Sequence, residues 1–163
     1  MQMMRWQWGL GLGCLIAGYP WPAQAGGNVS CSISTTPLAF GQYVALRSEA
    51  SDFTATIDVT CTTSGEAPVP VAASISLIGG GSNGRRELAD GASRLSYQLF
   101  LDPARTIPWG DGNGDGRSQS ISGTTGATAP LRIRLVVYGR ILARQAGASV
   151  GSYSSQVTAV LNY

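Results

Sequence analysis

The chain of 163 residues contains no histidine and no lysine, and only 3 of its residues are cysteine. Without histidine, the sequence excludes Ser-His and Cys-His catalytic pairs, the HExxH zinc site and an imidazole general base. The 11 basic residues are all arginine and stand against 9 acidic residues, so the formal net charge is only +2. A nucleic-acid-binding domain needs a clustered basic surface, and we therefore expect no nucleic-acid partner.

A long apolar run is also missing. The run at residues 9–18 is shorter than the about 20 residues that a transmembrane helix requires. Arg5 precedes this run, and Ala23-Gln24-Ala25 follows it in the small-x-small pattern that signal peptidase cleaves. Residues 1–25 are therefore predicted to be a secretory signal peptide. Residues 26–163 are predicted to be one exported domain without an integral membrane segment.

The cysteines fit an oxidising compartment. Cys14 lies within the predicted signal peptide, where Gly11-Leu-Gly-Cys14 only partly matches a lipoprotein box because Gly11 replaces an aliphatic residue. Cleavage would leave Cys31 and Cys61, which we expect to form a disulfide rather than two free thiols. Closing a loop of about 30 residues would stabilise the fold by about 3–4 kcal/mol in the chain-entropy model.

Alternation of apolar and polar residues runs through the rest of the chain. It predicts strands at residues 53–61, 69–77, 95–102, 131–137 and 156–163, with one or two short strands near Ile33, Leu38 and Phe40. Residues 84–91 are predicted to be a polar loop, and Pro70 is expected at a strand start or sheet edge. Because no window has a helical period, the sequence predicts an all-β, immunoglobulin-like antiparallel sandwich.

One segment resembles a metal-binding loop. Asp111, Asn113 and Asp115 match the first half of a calcium loop, followed by Gly116 at the turn position. However, Ser122 stands where a bidentate glutamate is required, and no helix flanks the segment. The interpretation as a glycine-rich turn is favoured, and we predict no metal site.

No catalytic constellation is evident. The remaining carboxylates are scattered along the chain, so we predict no catalytic residue, no cofactor and no enzymatic activity. Arg132 and Arg134, together with Arg85 and Arg86, are candidates for binding an anionic polysaccharide, but a solvated strand face and loop is the favoured interpretation.

A set of short motifs resembles the spore coat U domain family. In chain order they are CSISTTPLAFGQY at 31–43, IDVTC at 57–61, REL at 86–88, LSYQLFLD at 95–102, RTIPWGDG at 105–112, VYGR at 137–140, GSY at 151–153 and VTAVLNY at 157–163. The motifs cover nearly all of residues 26–163. The family includes subunits of archaic chaperone–usher pili and related bacterial coat proteins.

The resemblance implies a function. Such pilus subunits are sandwiches that lack the last strand, which a periplasmic chaperone and then another subunit supply by donor-strand complementation. The implied partners are therefore a pilus chaperone, an outer-membrane usher and other pilus subunits, and the implied route runs through the periplasm to the cell surface. By analogy, Val157, Ala159, Leu161 and Tyr163 would line the acceptor groove. Adhesion or biofilm formation is the implied use.

The stretch before Cys31 departs from a chain-forming subunit. Only residues 26–30 precede Cys31 after the predicted cleavage, whereas a donor strand requires about ten alternating residues. We therefore expect a distal subunit, or one that accepts a strand without donating one. The alternative is a self-complete module that binds a ligand such as a glycan, with Trp109, Tyr138 and Tyr153 as candidates for stacking on sugar.

Overall fold

The computed structural model describes residues 28–40, 43, 48–82, 85–114, 116–145, 147–149 and 151–163. The predicted signal peptide at residues 1–25 and the loop residue Asp115 lie outside the described residues. The described strands are β1 Val29–Thr35, β2 Ser51–Thr63, β3 Val69–Gly79, β4 Gly81–Ser82, β5 Arg85–Asp90, β6 Ser93–Phe100, β7 Gln119–Thr125, β8 Leu131–Ile141 and β9 Val157–Asn162.

These strands form two sheets. The six-stranded sheet has the order β1-β2-β8-β6-β5-β4, and the three-stranded sheet has the order β7-β3-β9. Neighbouring strands are antiparallel throughout both sheets. Because the inward faces of the two sheets share one apolar core, the predicted all-β antiparallel sandwich is confirmed.

The core follows the two-residue period of the sequence. Along β2, Ile57 and Val59 are buried at 2% and 1% exposure, while the polar residues between them face outward. Ile75 and Leu77 of β3 are buried in the same core from the opposite sheet. Burying a branched aliphatic side chain stabilises a fold by about 1.5–3 kcal/mol, so this alternation fixes which face of each strand is inward.

A disulfide joins β1 to β2. Cys31 and Cys61 are directly opposite in the register of the two strands and are bonded, as predicted. The hydroxyl of Thr125, at the end of β7, donates a hydrogen bond to the Cys61 carbonyl at 2.7 Å. The covalent link within one sheet is therefore also tied to the other sheet.

Pro70 lies where its missing N–H costs no hydrogen bond. It pairs with Thr124 of β7 on one side of β3, but the pairing of β3 with β9 begins only at Ser74. Around Pro70, β3 thus has a neighbouring strand on one side only among the described residues. This agrees with the expectation that proline lies at a strand start or an open edge.

Three details of the predicted strand pattern are wrong. Residues 84–91 are not a polar loop, because β5 occupies Arg85–Asp90 and pairs with β6. The strand β7 has no counterpart among the predictions. Leu38 and Phe40 do not lie in a strand, although both pack against the core.

Candidate functional site

An apolar cleft of about 1080 Å³ lies between the two sheets beside β9. One wall is formed by residues of the six-stranded sheet, and the other by Leu77 of β3 with Val157 and Ala159 of β9. Of the described residues that line the cleft, none is charged. A group inserted here would therefore contact aliphatic and aromatic side chains together with serine and threonine hydroxyl groups.

The hydrogen bonds of β3 reveal the orientation of its backbone. The Leu77 N–H donates to the Gly110 carbonyl at 2.9 Å, and the Ile75 carbonyl accepts the indole N–H of Trp109 at 3.0 Å. Both groups point away from β9. Since successive residues of a strand direct their N–H and C=O groups to opposite neighbours, Ser74, Ser76 and Ile78 are the residues that face β9.

The same alternation applies to β9. Thr158, Val160 and Asn162 are opposite Ile78, Ser76 and Ser74, and their backbone groups therefore bond to β3. The intervening residues are Val157, Ala159 and Leu161, whose N–H and C=O groups point to the other side of β9. No further strand pairs with that side within the described part of the chain. These groups form an open sheet edge alongside the cleft.

The residues expected to line a groove have three different positions. Val157 and Ala159 line the cleft directly. Leu161 is half-buried against the apolar core but is not part of the cleft wall. Tyr163 follows the end of β9 with 60% of its surface exposed, so the expectation that it faces inward is wrong. Tyr163 follows Asn162, the last residue of β9 that pairs with β3.

The segment after β1, residues 36–40, also lines the cleft. Leu38 and Phe40 lie over Gly139 of β8, where a Cβ atom would be 2.8 Å from the Leu38 Cδ2 and 3.2 Å from the Phe40 Cε1. The Phe40 ring makes edge-to-face contacts with Phe53 at 5.1 Å and with Tyr97 at 5.3 Å between centroids. The segment therefore occupies space on the inner face of the six-stranded sheet that the glycine leaves free.

The chain before β9 closes one end of the cleft. Ser154 exchanges two backbone hydrogen bonds with Ala89 of β5, at 2.8 and 3.0 Å. The hydroxyl of Tyr97 donates to the Ser155 hydroxyl at 3.0 Å, and burial raises the pKa of Tyr97 above its ordinary value. The phenol therefore remains protonated and donates this bond at neutral pH.

The candidate calcium loop is organised by its own hydrogen bonds. The Asn113 N–H donates to the Asp111 carboxylate at 2.7 Å, and the Gly112 N–H donates to the Gly116 carbonyl at 3.0 Å. Gly112 and Gly116 have φ values of 88° and 123°, which favour glycine. Asp111 and Asn113 thus act as turn residues in this segment. Among the residues that the structure describes, no three His, Cys, Asp or Glu side chains cluster as metal ligands would.

The arginine candidates differ in exposure. Arg86 is only 4% exposed and donates to the carbonyls of Leu77 at 2.9 Å and Trp109 at 3.1 Å, and also to Gly79. Its assignment to a solvated loop was wrong, because β5 turns this side chain inward. Arg85 is exposed, as are Arg132 and Arg134 on the outer face of β8.

Carboxylates neutralise much of the positive charge on this outer face. Arg134 pairs with Asp58 at 2.6 Å, and Arg140 pairs with Asp52 at 2.7 Å. Arg105 also approaches Asp52 at 3.3 Å. The arrangement is a set of cross-strand ion pairs between β2 and β8, which differs from a concentrated anion-binding surface.

The aromatic candidates do not form an exposed platform. Trp109 is 1% exposed and its indole N–H is already bonded to Ile75. Tyr138 is half-buried, with the Arg105 guanidinium 5.7 Å from its ring centroid, and Tyr153 lines the cleft. Stacking on a sugar would require a broad exposed aromatic face, which these three side chains do not supply together.

Sequence reasoning missed part of the wall opposite β9. Leu88 lines the cleft from the segment that was predicted to be a loop, and Leu38 lines it from outside any strand. Leu95, Leu99 and Val137 lie at the alternating apolar positions of the predicted strands 95–102 and 131–137, but nothing in their spacing indicates that a cleft adjoins them. Only the pairing of β5 with β6 and the crossing of Leu38 over Gly139 bring these residues together.

Comparison with known proteins places the chain in one family. Residues 23–160 match the family model of the Spore Coat Protein U domain, and the chain belongs to that family. The family is associated with chaperone–usher pilus and coat proteins, which implies a protein of the cell surface. No curated protein matches the chain. The described residues include no helix long and apolar enough to cross a membrane.

Proposed function

We propose that this chain is a structural subunit of a chaperone–usher pilus or cell-surface coat, and that it is assembled when another chain adds a strand to β9. The observation that carries the proposal is the open edge of β9 beside the cleft. Val157, Ala159 and Leu161 direct backbone donors and acceptors to the edge while their side chains face the core. Strand addition uses both features, because main-chain hydrogen bonds give affinity and apolar pockets give register.

The proposed partners follow from family membership. A periplasmic chaperone would cover the edge first, an outer-membrane usher would receive the subunit, and a neighbouring subunit would supply the strand in the finished fibre or coat. The role is structural, without catalysis or a cofactor, and it serves adhesion or biofilm formation. An unprotected edge of this kind promotes aggregation, which is a physical reason for a dedicated chaperone.

With residues 1–25 removed as the predicted signal peptide, only residues 26–30 would precede Cys31, and the chain would then accept a strand without donating one. Val29 and Ser30 already pair with Thr63 and Thr62 as part of β1, so they are not available to a neighbour. Fusing an alternating apolar donor segment before residue 26 should produce homopolymers. Long homopolymers of the unmodified chain would instead show that it already donates a strand.

Periplasmic expression tests the proposal. The chain is expressed alone and together with a pilus chaperone, and its yield, oligomeric state and thermal unfolding are compared. Recovery only as a one-to-one complex supports an incomplete sandwich. A stable disulfide-bonded monomer that unfolds cooperatively without a partner would contradict strand addition.

A further inference from the structure

Small residues lie on or next to the walls of the cleft. Ala159 contributes the smallest side chain among the inward residues of β9, between Val157 and Leu161. On the six-stranded sheet, Ala55 lines the cleft, and Gly139 lies beneath Leu38 and Phe40. Each small residue leaves space that another group has to fill if the core is to reach the usual packing density.

The space above Gly139 is already occupied. A Cβ atom at Gly139 would lie 2.8 Å from Leu38, which is closer than Cβ atoms approach in proteins. The chain fills this depression with its own side chains. Ala159 and Ala55, in contrast, both remain part of the cleft surface, one on each sheet.

The backbone orientation of β9 determines where an added strand would place its side chains. Ala159 directs its N–H and C=O groups to the open edge, so the residue paired with it in an added strand lies directly beside it. Paired residues of neighbouring strands project their side chains to the same face of a sheet. The side chain next to Ala159 therefore enters the cleft beside the smallest inward residue of β9.

We propose that Ala159 determines which strand the cleft accepts, because it selects a large apolar side chain at the paired position of the incoming segment. This inference rests on the proposed function and adds the position and size of the main inserted side chain. The neighbouring inserted positions, next to Val157 and Leu161, face larger wall residues and take smaller side chains. Leu77, Val157 and Ala159, which line the cleft beside this position, are apolar, so an apolar inserted side chain matches its surroundings.

Two synthetic peptides test the size selection. Each has about nine residues, alternates valine and threonine to form a strand, and carries either phenylalanine or alanine at the central inward position. The phenylalanine peptide should bind the full chain about tenfold to hundredfold more tightly, from the apolar area that its ring buries. In protein labelled at the alanine methyl groups, the bound ring should shift the resonances of Ala159 and Ala55. The exposed Ala72 and Ala104 should be unaffected.

A substitution should reverse the preference. In Ala159→Leu the added side chain occupies the space, so the phenylalanine peptide should lose its advantage over the alanine peptide. Thr158→Leu is the matched control, because it adds a similar side chain on the outward face of the same strand, and it should leave the preference unchanged. If Ala159→Leu fails to fold, Ala159→Val makes the same test with a smaller addition.

The outcomes distinguish the role of Ala159 from strand addition itself. Equal affinities of both peptides for the unmodified chain, or an unchanged preference in the folded Ala159 variant, would refute the role of Ala159 while leaving strand addition intact. If the unmodified chain binds neither peptide, and a pilus chaperone does not stabilise it either, strand addition itself is wrong. Size-dependent binding that the Ala159 substitution abolishes supports both.

Discussion

Arg86 connects three segments through one buried guanidinium group. It extends from β5 and donates to carbonyl groups of Leu77, Gly79 and Trp109, which belong to β3 and to the chain before β7. A buried carbonyl without a partner costs about 1–3 kcal/mol, and hydrogen bonds from a charged donor are stronger than neutral ones. The residue thus fixes one end of the three-stranded sheet against the six-stranded sheet.

Replacing Arg86 should therefore destabilise the fold severely. Arg86→Met retains much of the side-chain volume but removes the donors, and we expect a loss of about 3–5 kcal/mol in the free energy of unfolding. Chemical denaturation measures this value. Arg85→Met is the control, since the exposed neighbouring side chain should contribute within about 0.5 kcal/mol. Equal stability of both variants would show that the buried contacts of Arg86 are not important.

The ion pair of Asp52 predicts a dependence of stability on pH. The hydrogen bond from Arg140 holds the pKa of Asp52 below its ordinary value of 3.8, with a further contribution from the charge of Arg105. Because the folded-state pKa is the lower one, the stabilisation is present above the unfolded-state value and is lost as pH falls through the folded-state value.

Asp52→Asn should remove this acid-sensitive contribution. Between about pH 5 and about pH 2, the unfolding temperature of the unmodified chain should fall more steeply than that of the variant. Glu66→Gln is the matched charge change, since Glu66 is exposed and forms no ion pair within the described residues. Parallel acid titrations of all three proteins would contradict the role of the Asp52 pair.

At the level of the elements, β9 carries two kinds of backbone amide. Those of Thr158, Val160 and Asn162 face β3, whereas those of Val157 and Ala159 face the open edge. In hydrogen exchange measured by NMR, the first group should be protected in the free chain. The second group should exchange rapidly until a strand is added and should then become protected. Uniform protection along β9 in the free monomer would indicate that its edge is already covered.

The strands that the sequence predicts well are those with uninterrupted alternation. β2, β3 and β8 have mostly apolar residues at every second, inward position, so alternation alone predicts these strands. β5 was missed because Arg86 occupies one of its inward positions and makes the segment look polar. β7 was missed because it consists largely of serine, threonine and glycine, with Ile121 as its one aliphatic residue.

The candidate site beside β9 is likewise only partly predictable from the sequence. The inward residues of β9 follow from alternation, but the free side of its backbone does not. That orientation depends on Leu77 bonding to Gly110 and on Trp109 bonding to Ile75, contacts between residues 33 to 34 positions apart in the chain. Pairwise contacts over such separations leave no periodic signal in a single sequence.

The outer faces of the two sheets differ in chemical character across the whole molecule. The face formed by β2 and β8 carries the Asp52, Asp58, Arg134 and Arg140 ion pairs. The outward residues of β7 and β9 are small or uncharged, as at Ser122 and Thr158. The chain has a low formal net charge of +2 in total, so charge does little to prevent association through the open edge.

A bound strand should stabilise the whole molecule. At a peptide concentration of about 100 times the dissociation constant, linkage predicts a gain of about 2.7 kcal/mol in the free energy of unfolding. A thermal melt with the phenylalanine peptide measures the gain, and a scrambled peptide of equal composition is the control. Because strand addition completes the core, the fluorescence of a dye that binds exposed apolar surface should fall in parallel.

When the chain is pulled from its two ends in force spectroscopy, the disulfide between β1 and β2 would limit how far it can be extended. A pull at residue 28 can peel only the residues before Cys31, because there the load passes through the covalent bond into β2. The 30-residue separation between the cysteines shields about 100 Å of contour length from extension. Force spectroscopy should record this extra length after reduction and not before it. The disulfide therefore limits unfolding near β1, at a distance in the sheet order from the open edge of β9.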